Sequence, residues 1–257
     1  MTTYNNLFWR FEKHLDEQNC DRIVRNRPSE FEDAVIAGGH VQKEVRDASV
    51  SFLNEPELEQ HIDSAMAIAN HRAEWHFDIS AKEPLQFIKY ELNGHYKPHV
   101  DAGFDDCFKW HDDSSEGLVV KSTQDVNLLG KTRKISSIML LNDEFEGGEV
   151  CFYRLATSPV FPYFVKVEEI VLPLEKGDLV VFPSDILNRV KPVKKGERFS
   201  KNNIKPIDSI NKKLDPNYHQ AMMEIEDDTK DAGTIICLLY TSPSPRDRTR
   251  SRMPSSA

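Results

Sequence analysis

A chain of 257 residues with 39% hydrophobic and 29% charged residues has the length and apolar content for one substantial core, which excludes a wholly disordered or fibrous protein. A formal charge of −9 excludes a polynucleotide as the principal ligand, because a polyanion is bound through a basic surface that releases counterions. No apolar run reaches the roughly eighteen residues of a membrane span, the N-terminus lacks a basic and apolar leader, and Cys20, Cys107, Cys151 and Cys237 form no C-x-x-C pair, so a reducing, cytoplasmic protein that does not bind a membrane is expected.

Residues Tyr4 to Asn26 carry Leu7, Phe8, Phe11, Leu15, Cys20, Ile23 and Val24 at near-helical spacing and predict one or two amphipathic helices. Ala48 to Leu53 alternates as a short strand. Glu55 to Trp75 returns to helical spacing with Leu58, Ile62, Met66, Ile68 and Ala69, and Pro56 suits a first helical position. From Leu85 the texture turns to strands: Leu85 to Leu92, Tyr96 to Asp101, Ile135 to Leu141, Glu149 to Tyr153, Phe164 to Leu172, Leu179 to Phe182 and Arg189 to Val193. Turn signals separate them at Asn93-Gly94, Gly147-Gly148, Lys176-Gly177 and Lys195-Gly196. Helices followed by many short strands predict a mainly β fold with flanking helices, a jelly-roll core, rather than a parallel α/β sheet. The polar stretch Phe104 to Thr132 is long for a connection and reads as a lid.

The chemistry concentrates in LQFIKYELNGHYKPHVD, residues 85–101, where two strands flank an Asn-Gly turn. Strand alternation puts His95, Lys97, His99 and Asp101 on one face. An imidazole and a carboxylate two residues apart supply two of the three ligands of a facial Fe(II) triad. Taken alone an H-x-D pair is weak, and His111 with Asp113 makes a second one. His95 lies four residues, ~13 Å, from His99 along a strand, too far to share one ion with it. His61, His71, His76 and His219 accompany no second ligand pattern.

Around the first pair the chain resembles the prolyl 4-hydroxylase-like Fe(II)- and 2-oxoglutarate-dependent dioxygenases, through Tyr90, Gly94, Tyr96, His99 and Asp101. The resemblance continues in RKISSIMLLNDEFEGGEVCFY and in LEKGDLVVFPSDILNRVKPVKKGERFS, and spans roughly Glu12 to Ser200. It implies a double-stranded β-helix, Fe(II) on His99 and Asp101, and 2-oxoglutarate anchored by Arg198 with Tyr90 and Ser200 beside it. Dioxygen is the implied oxidant and ascorbate a common reductant of relatives. The implied reaction hydroxylates an unactivated C–H bond of an unidentified protein or small molecule, possible substrates including peptidyl proline, and releases succinate and CO2. The physical case for Arg198 is direct, since a planar guanidinium gives a carboxylate two parallel charge-assisted hydrogen bonds that lysine cannot reproduce.

Asn188 stands where the family has its distal metal-binding histidine, ten residues before Arg198. An amide oxygen is a poorer Fe(II) ligand than a neutral imidazole, so weak iron binding is expected, and an iron-deficient binding module is the rival reading. A cupin-like zinc or manganese enzyme would use a similar roll but gives Arg198 no role.

The expected organisation is helical support over residues 1–80, an oxygenase core over 81–200, a polar segment over 201–236 that departs from the family, and a disordered tail over 237–257. That tail, CLLYTSPSPRDRTRSRMPSSA, resembles the conceptual translation of a sequencing adapter. It carries Arg246, Arg248, Arg250 and Arg252 against Asp247, leaving the rest of the chain more acidic still.

Overall fold

The computed structural model describes residues 6–36, 39–52, 55–102, 109–110, 122–123, 127–128, 130–157 and 165–208. Most of the predicted lid, including His111, and the whole tail lie outside them.

In chain order the first elements are β1 (Trp9–Phe11), α1 (Glu17–Arg25), β2 (Glu32–Asp33), β3 (Arg46–Asp47), β4 (Ser49–Phe52) and α2 (Pro56–Arg72). There follow β5 (Gln86–Tyr90), β6 (His95–His99), β7 (Lys109–Trp110), β8 (Ser122–Thr123), β9 (Lys131–Leu140), β10 (Phe145–Gly147), β11 (Val150–Thr157) and β12 (Val165–Val171). The last are β13 (Leu179–Pro183), β14 (Asn188–Val190), β15 (Val193–Gly196) and β16 (Arg198–Asp208). A seven-stranded sheet in the order β1-β13-β9-β16-β5-β4-β2 faces a five-stranded one in the order β12-β11-β14-β6-β3, with two strand pairs, β10-β15 and β7-β8, beside them. These are the two walls of a jelly roll, as expected of antiparallel strands that each bury one face.

The helices cover the outer side of the large sheet. Asp16 caps α1 by accepting from the Asn19 amide at 2.8 Å, and Glu17 at its start and Arg22 and Arg25 at its end suit the helix dipole. Leu58, Ile62, Ala65, Met66 and Ala69 form the buried stripe of α2, spaced by three and four residues. They pack with Leu85, Phe87, Ile135, Met139, Leu179, Val181 and Phe199 of the sheet. Alternate residues of the same strands, such as Ile138, Val180 and Phe182, point into the roll.

The predicted N-terminal helix over residues 4–26 is corrected in its first half. Trp9–Phe11 is a strand paired with Leu179–Val181, and Trp9 and Phe11 join the helix-side core. Arg10 between them is held by the buried Asp178 carboxylate, at 2.9 Å from Nε. The local period is two, hidden inside a spacing that also fits a helix.

The polar run after Ser200 does not end the sheet. β16 continues to Asp208 between β9 and β5, and Pro206 is accommodated at a register shift against β9. Its helix-side positions are unsuited to a core. Lys201 is 0% and Lys205 5% exposed, and their ammonium groups reach Glu55 at 3.3 Å and Asp63 respectively. Burial lowers both lysine pKa values below 10.5, and the carboxylates offset this only in part. The unfolded chain therefore holds more protons than the folded one between the lowered values and 10.5, so this contribution to stability improves as pH rises through that window and is least favourable below it. Glu55 and Asp63 are each about a third exposed and can be hydrated without their partners. A Lys201→Met/Lys205→Met chain is therefore expected to melt above the parent at pH 7, with the gap narrowing towards pH ~10. Thermal midpoints at the two pH values check this, and a lower midpoint for the variant at pH 7 would mean that the ion pairs stabilise the fold.

Candidate active site

The register of the smaller sheet brings the predicted residues together. Asn188 in β14 lies opposite His99 in β6 on one side and Phe152 in β11 on the other. His99 Nδ1 is 2.8 Å from the Lys97 carbonyl, a contact that requires the proton on Nδ1 and leaves the Nε2 lone pair free. That Nε2 is 3.5 Å from Asp101 Oδ1, so the two donors converge on one point. Burial acts to raise the Asp101 pKa. The neighbouring polar groups and the Arg133 guanidinium outweigh it and hold the carboxyl below its ordinary value, ionised as a metal ligand must be.

The expectation that His95 and Lys97 share a face with His99 is corrected. Three residues of β14, Asn188 to Val190, oppose four of β6, His99 to Tyr96, a bulge beside Pro98 that turns both Tyr96 and His99 inward. Their rings stack with centroids 3.4 Å apart, and the Arg46 guanidinium lies 4.8 Å from the Tyr96 ring. The His95 ring nitrogens instead meet the carbonyls of Asn93, at 2.9 Å, and Glu44, at 3.3 Å.

Asn188 is 2% exposed, and its amide nitrogen donates to the carbonyls of His99 and Ile186, each at 3.2 Å. With both N–H groups engaged, the amide oxygen faces the other way, as the only donor atom that this side chain can offer a cation. Among the described residues no three His, Cys, Asp or Glu side chains gather as a metal site. The donor set therefore fits Fe(II) with two strong ligands, His99 and Asp101, and a weak third.

Across the roll, Arg198 opens β16 opposite Tyr90 of β5, and its guanidinium carbon lies 5.3 Å from the Tyr90 ring. It is 1% exposed, donates through Nη1 to Ser200 Oγ at 3.2 Å, and has a buried Nε with no partner. Burial lowers its pKa, opposed only by Tyr90, and no ion pair with a carboxylate compensates it among the described residues. A buried guanidinium left this way is costly unless an anion completes it, so Arg198 with Ser200 fits the carboxylate of 2-oxoglutarate.

Gly148 is a part of the site to which sequence reasoning gave no role. At φ +65° it packs on Arg198, and a Cβ there would stand 2.8 Å from Arg198 Cδ, so the Gly-Gly-Glu motif was the available signal. A separate cavity of about 390 Å³, lined by Arg25, Arg27, Pro28, Ser29, Phe31, Lys89 and Glu197, includes none of the site residues.

Comparison with known proteins agrees with this geometry. The sequence profile of the 2OG-Fe(II) oxygenase superfamily matches residues 85–203, just under half of the chain, and this stretch includes every predicted site residue. The fold of the chain is similar to the 2OG complex of a viral collagen prolyl hydroxylase from Paramecium Bursaria Chlorella virus-1, with a TM-score of 0.51 and 16% identity over 78% of this chain and 96% of that one. It is likewise similar to a prolyl hydroxylase from Trichoplax adhaerens in complex with a hypoxia inducible factor oxygen degradation domain peptide fragment, with a TM-score of 0.52 and 17% identity over 78% of this chain and 83% of that one.

A second profile match overlaps the end of the first. The GrpE profile matches residues 194–240, overlapping β16 and reaching four residues into the adapter-like tail. Protein GrpE of Afipia carboxidovorans is 40% identical over 48 residues, which are 19% of this chain and 24% of that protein. The chain thus spans about a quarter of the length of this curated relative.

Proposed function

We propose that this chain binds 2-oxoglutarate through Arg198 and hydroxylates an amino-acid side chain, with peptidyl proline the first substrate to test. The observation that carries the reading is the buried, uncompensated Arg198 facing the same interior as His99 and Asp101. His99 and Asp101 would hold Fe(II), with the Asn188 amide oxygen in the third place. When bound, the metal supplies the activation of dioxygen that converts 2-oxoglutarate to succinate and CO2 while one oxygen atom enters the C–H bond. The residues present do the rest. Arg198 and Ser200 orient the cosubstrate through its far carboxylate, Tyr90 walls the guanidinium, and Phe152 and Phe182 supply a dry apolar lining.

The peptide bound to the Trichoplax neighbour supports a peptide substrate over a free metabolite. The free thiols of Cys20 and Cys151, whose pKa values burial pushes up to about 11, are inert and suit a reducing, cytoplasmic compartment. Ascorbate would serve as reductant. Asn188 favours one alternative specifically, a roll that keeps its 2-oxoglutarate pocket and binds iron too weakly to turn over.

The test is calorimetry with 2-oxoglutarate followed by succinate release under Fe(II) and ascorbate, with Asp101→Ala as control. Binding with Asp101-dependent succinate supports the oxygenase, and binding without succinate supports the alternative. Absence of binding to a folded chain removes both.

A further inference from the structure

We infer that the cavity on the helix side of the large sheet is an anion site, one that takes a small molecule bearing a phosphate or a carboxylate group and is separate from the cosubstrate anchor at Arg198. Its lining brings Arg25 and Arg27, from the end of α1 and the turn after it, together with Lys89 of β5 and Phe31. Glu197 is the one acid that the described lining contains. Such a surplus of cations runs against the formal charge of −9 that the whole chain carries. At about 390 Å³ the space is within the ~300–1,000 Å³ of small-molecule sites.

Aromatic rings hold these cations in place. Phe87 lies between Phe31 and Phe199, with ring centroids 5.9 Å from the first and 5.8 Å from the second. The Arg27 guanidinium carbon is 5.5 Å from the Phe199 ring centre and the Lys89 ammonium 5.1 Å from that of Phe31, so both stems are fixed before any ligand arrives. A helix terminus offers a simpler reason for two arginines, since basic groups suit its carbonyls. That role uses little of them: Arg25 donates through Nε to the Asp21 carbonyl at 3.3 Å, and Arg27 through Nη1 to the Val24 carbonyl at 3.0 Å. Neither forms an ion pair with a described residue, and most of their N–H donors stay available to a ligand. Lys89 is held by Glu91 at 2.5 Å, so the two guanidinium groups carry the recognition.

The sheet itself separates this site from the 2-oxoglutarate anchor. Arg198 pairs with Tyr90 and Phe199 with Lys89 in one antiparallel ladder, so alternation sends the first pair into the roll and the second to the face that the helices cover. An anion can therefore occupy this face whether or not 2-oxoglutarate occupies the other.

Calorimetric titration of the full chain at low ionic strength with inorganic phosphate and, separately, with citrate tests this, each repeated on an Arg198→Lys chain. At least one probe is expected to bind, the tighter of the two naming the head group, with a dissociation constant that Arg198→Lys leaves unchanged. Arg25→Gln/Arg27→Gln should weaken that binding by about tenfold or more, the loss of charge-assisted hydrogen bonds. Glu197→Gln, which removes the opposing charge at the exposed rim, should tighten it by about threefold. No binding of either probe to the folded parent overturns the site. So does binding that persists undiminished in the double arginine variant, or that disappears in Arg198→Lys and so belongs to the cosubstrate anchor. Should the arginine variant fail to fold, Glu197→Gln decides: tighter binding supports the site, and unaltered or weaker binding overturns it.

Discussion

Asn188→His is expected to raise Fe(II) affinity by about one to two orders of magnitude and to bring uncoupled conversion of 2-oxoglutarate to succinate well above the parent level. The register makes this substitution specific. Position 188 is paired with position 99, so an imidazole there starts beside His99 on the same inner face. The carbonyls of His99 and Ile186 that now hold the amide offer an acceptor for an imidazole Nδ1–H, which would leave Nε2 for the metal. Equilibrium dialysis with Fe(II) under anaerobic conditions reads the affinity, and succinate formation reads the chemistry. A parent chain that already turns over at a rate the histidine does not improve would mean that the third ligand comes from elsewhere. His111 is then the next residue to replace, since the His95 ring is turned to backbone carbonyls.

Arg198→Lys should weaken 2-oxoglutarate binding by roughly tenfold to a hundredfold, the loss of a charge-assisted hydrogen bond worth ~1.5–3 kcal/mol. Lysine retains the charge but presents it at a point, and cannot both donate to Ser200 and give a carboxylate two parallel bonds. It would also leave unfilled the space that Gly148 keeps open for the guanidinium stem. Calorimetry with 2-oxoglutarate, with or without Fe(II), gives the dissociation constant directly. The same constant in both proteins would identify another cation as the anchor.

Much of this architecture was legible because its signals were local. The Asn-Gly hairpin, with Asn93 at φ +66°, the stripe of α2 from Leu58 to Ala69 and the apolar strand β13 follow from turn chemistry and periodicity. What escaped depended on partners distant in sequence. Trp9–Phe11 is too short to establish a period and becomes a strand only because β13 offers an edge. The bulge opposite Asn188 and Val190 changes which residues of β6 face inward, and Pro98 signalled only an interruption of the ladder. The site was read from three separated motifs, and its residues do share one interior. The contact between Ser136 and Ser184 was not readable, since they lie 48 positions apart and resemble any core-flanking serines. The change of character after Ser200 was visible in composition, and only comparison gave it a name in the GrpE match.

That match falls on the middle of a sheet. Strands β9 and β5 hold β16 through main-chain hydrogen bonds, which are indifferent to side-chain identity, so a polar run can complete the ladder while supplying Lys201 where neighbouring strands supply Met139 and Phe87. Ordinarily a sheet frays from its edges inward. Here two buried lysines lie at the centre, in the half of β16 that follows Arg198 and Ser200. Local opening of that second half would loosen β9 at Ser136 and β5 at Phe87 together. Occupation of Arg198 by the proposed 2-oxoglutarate would steady the same strand from its other half.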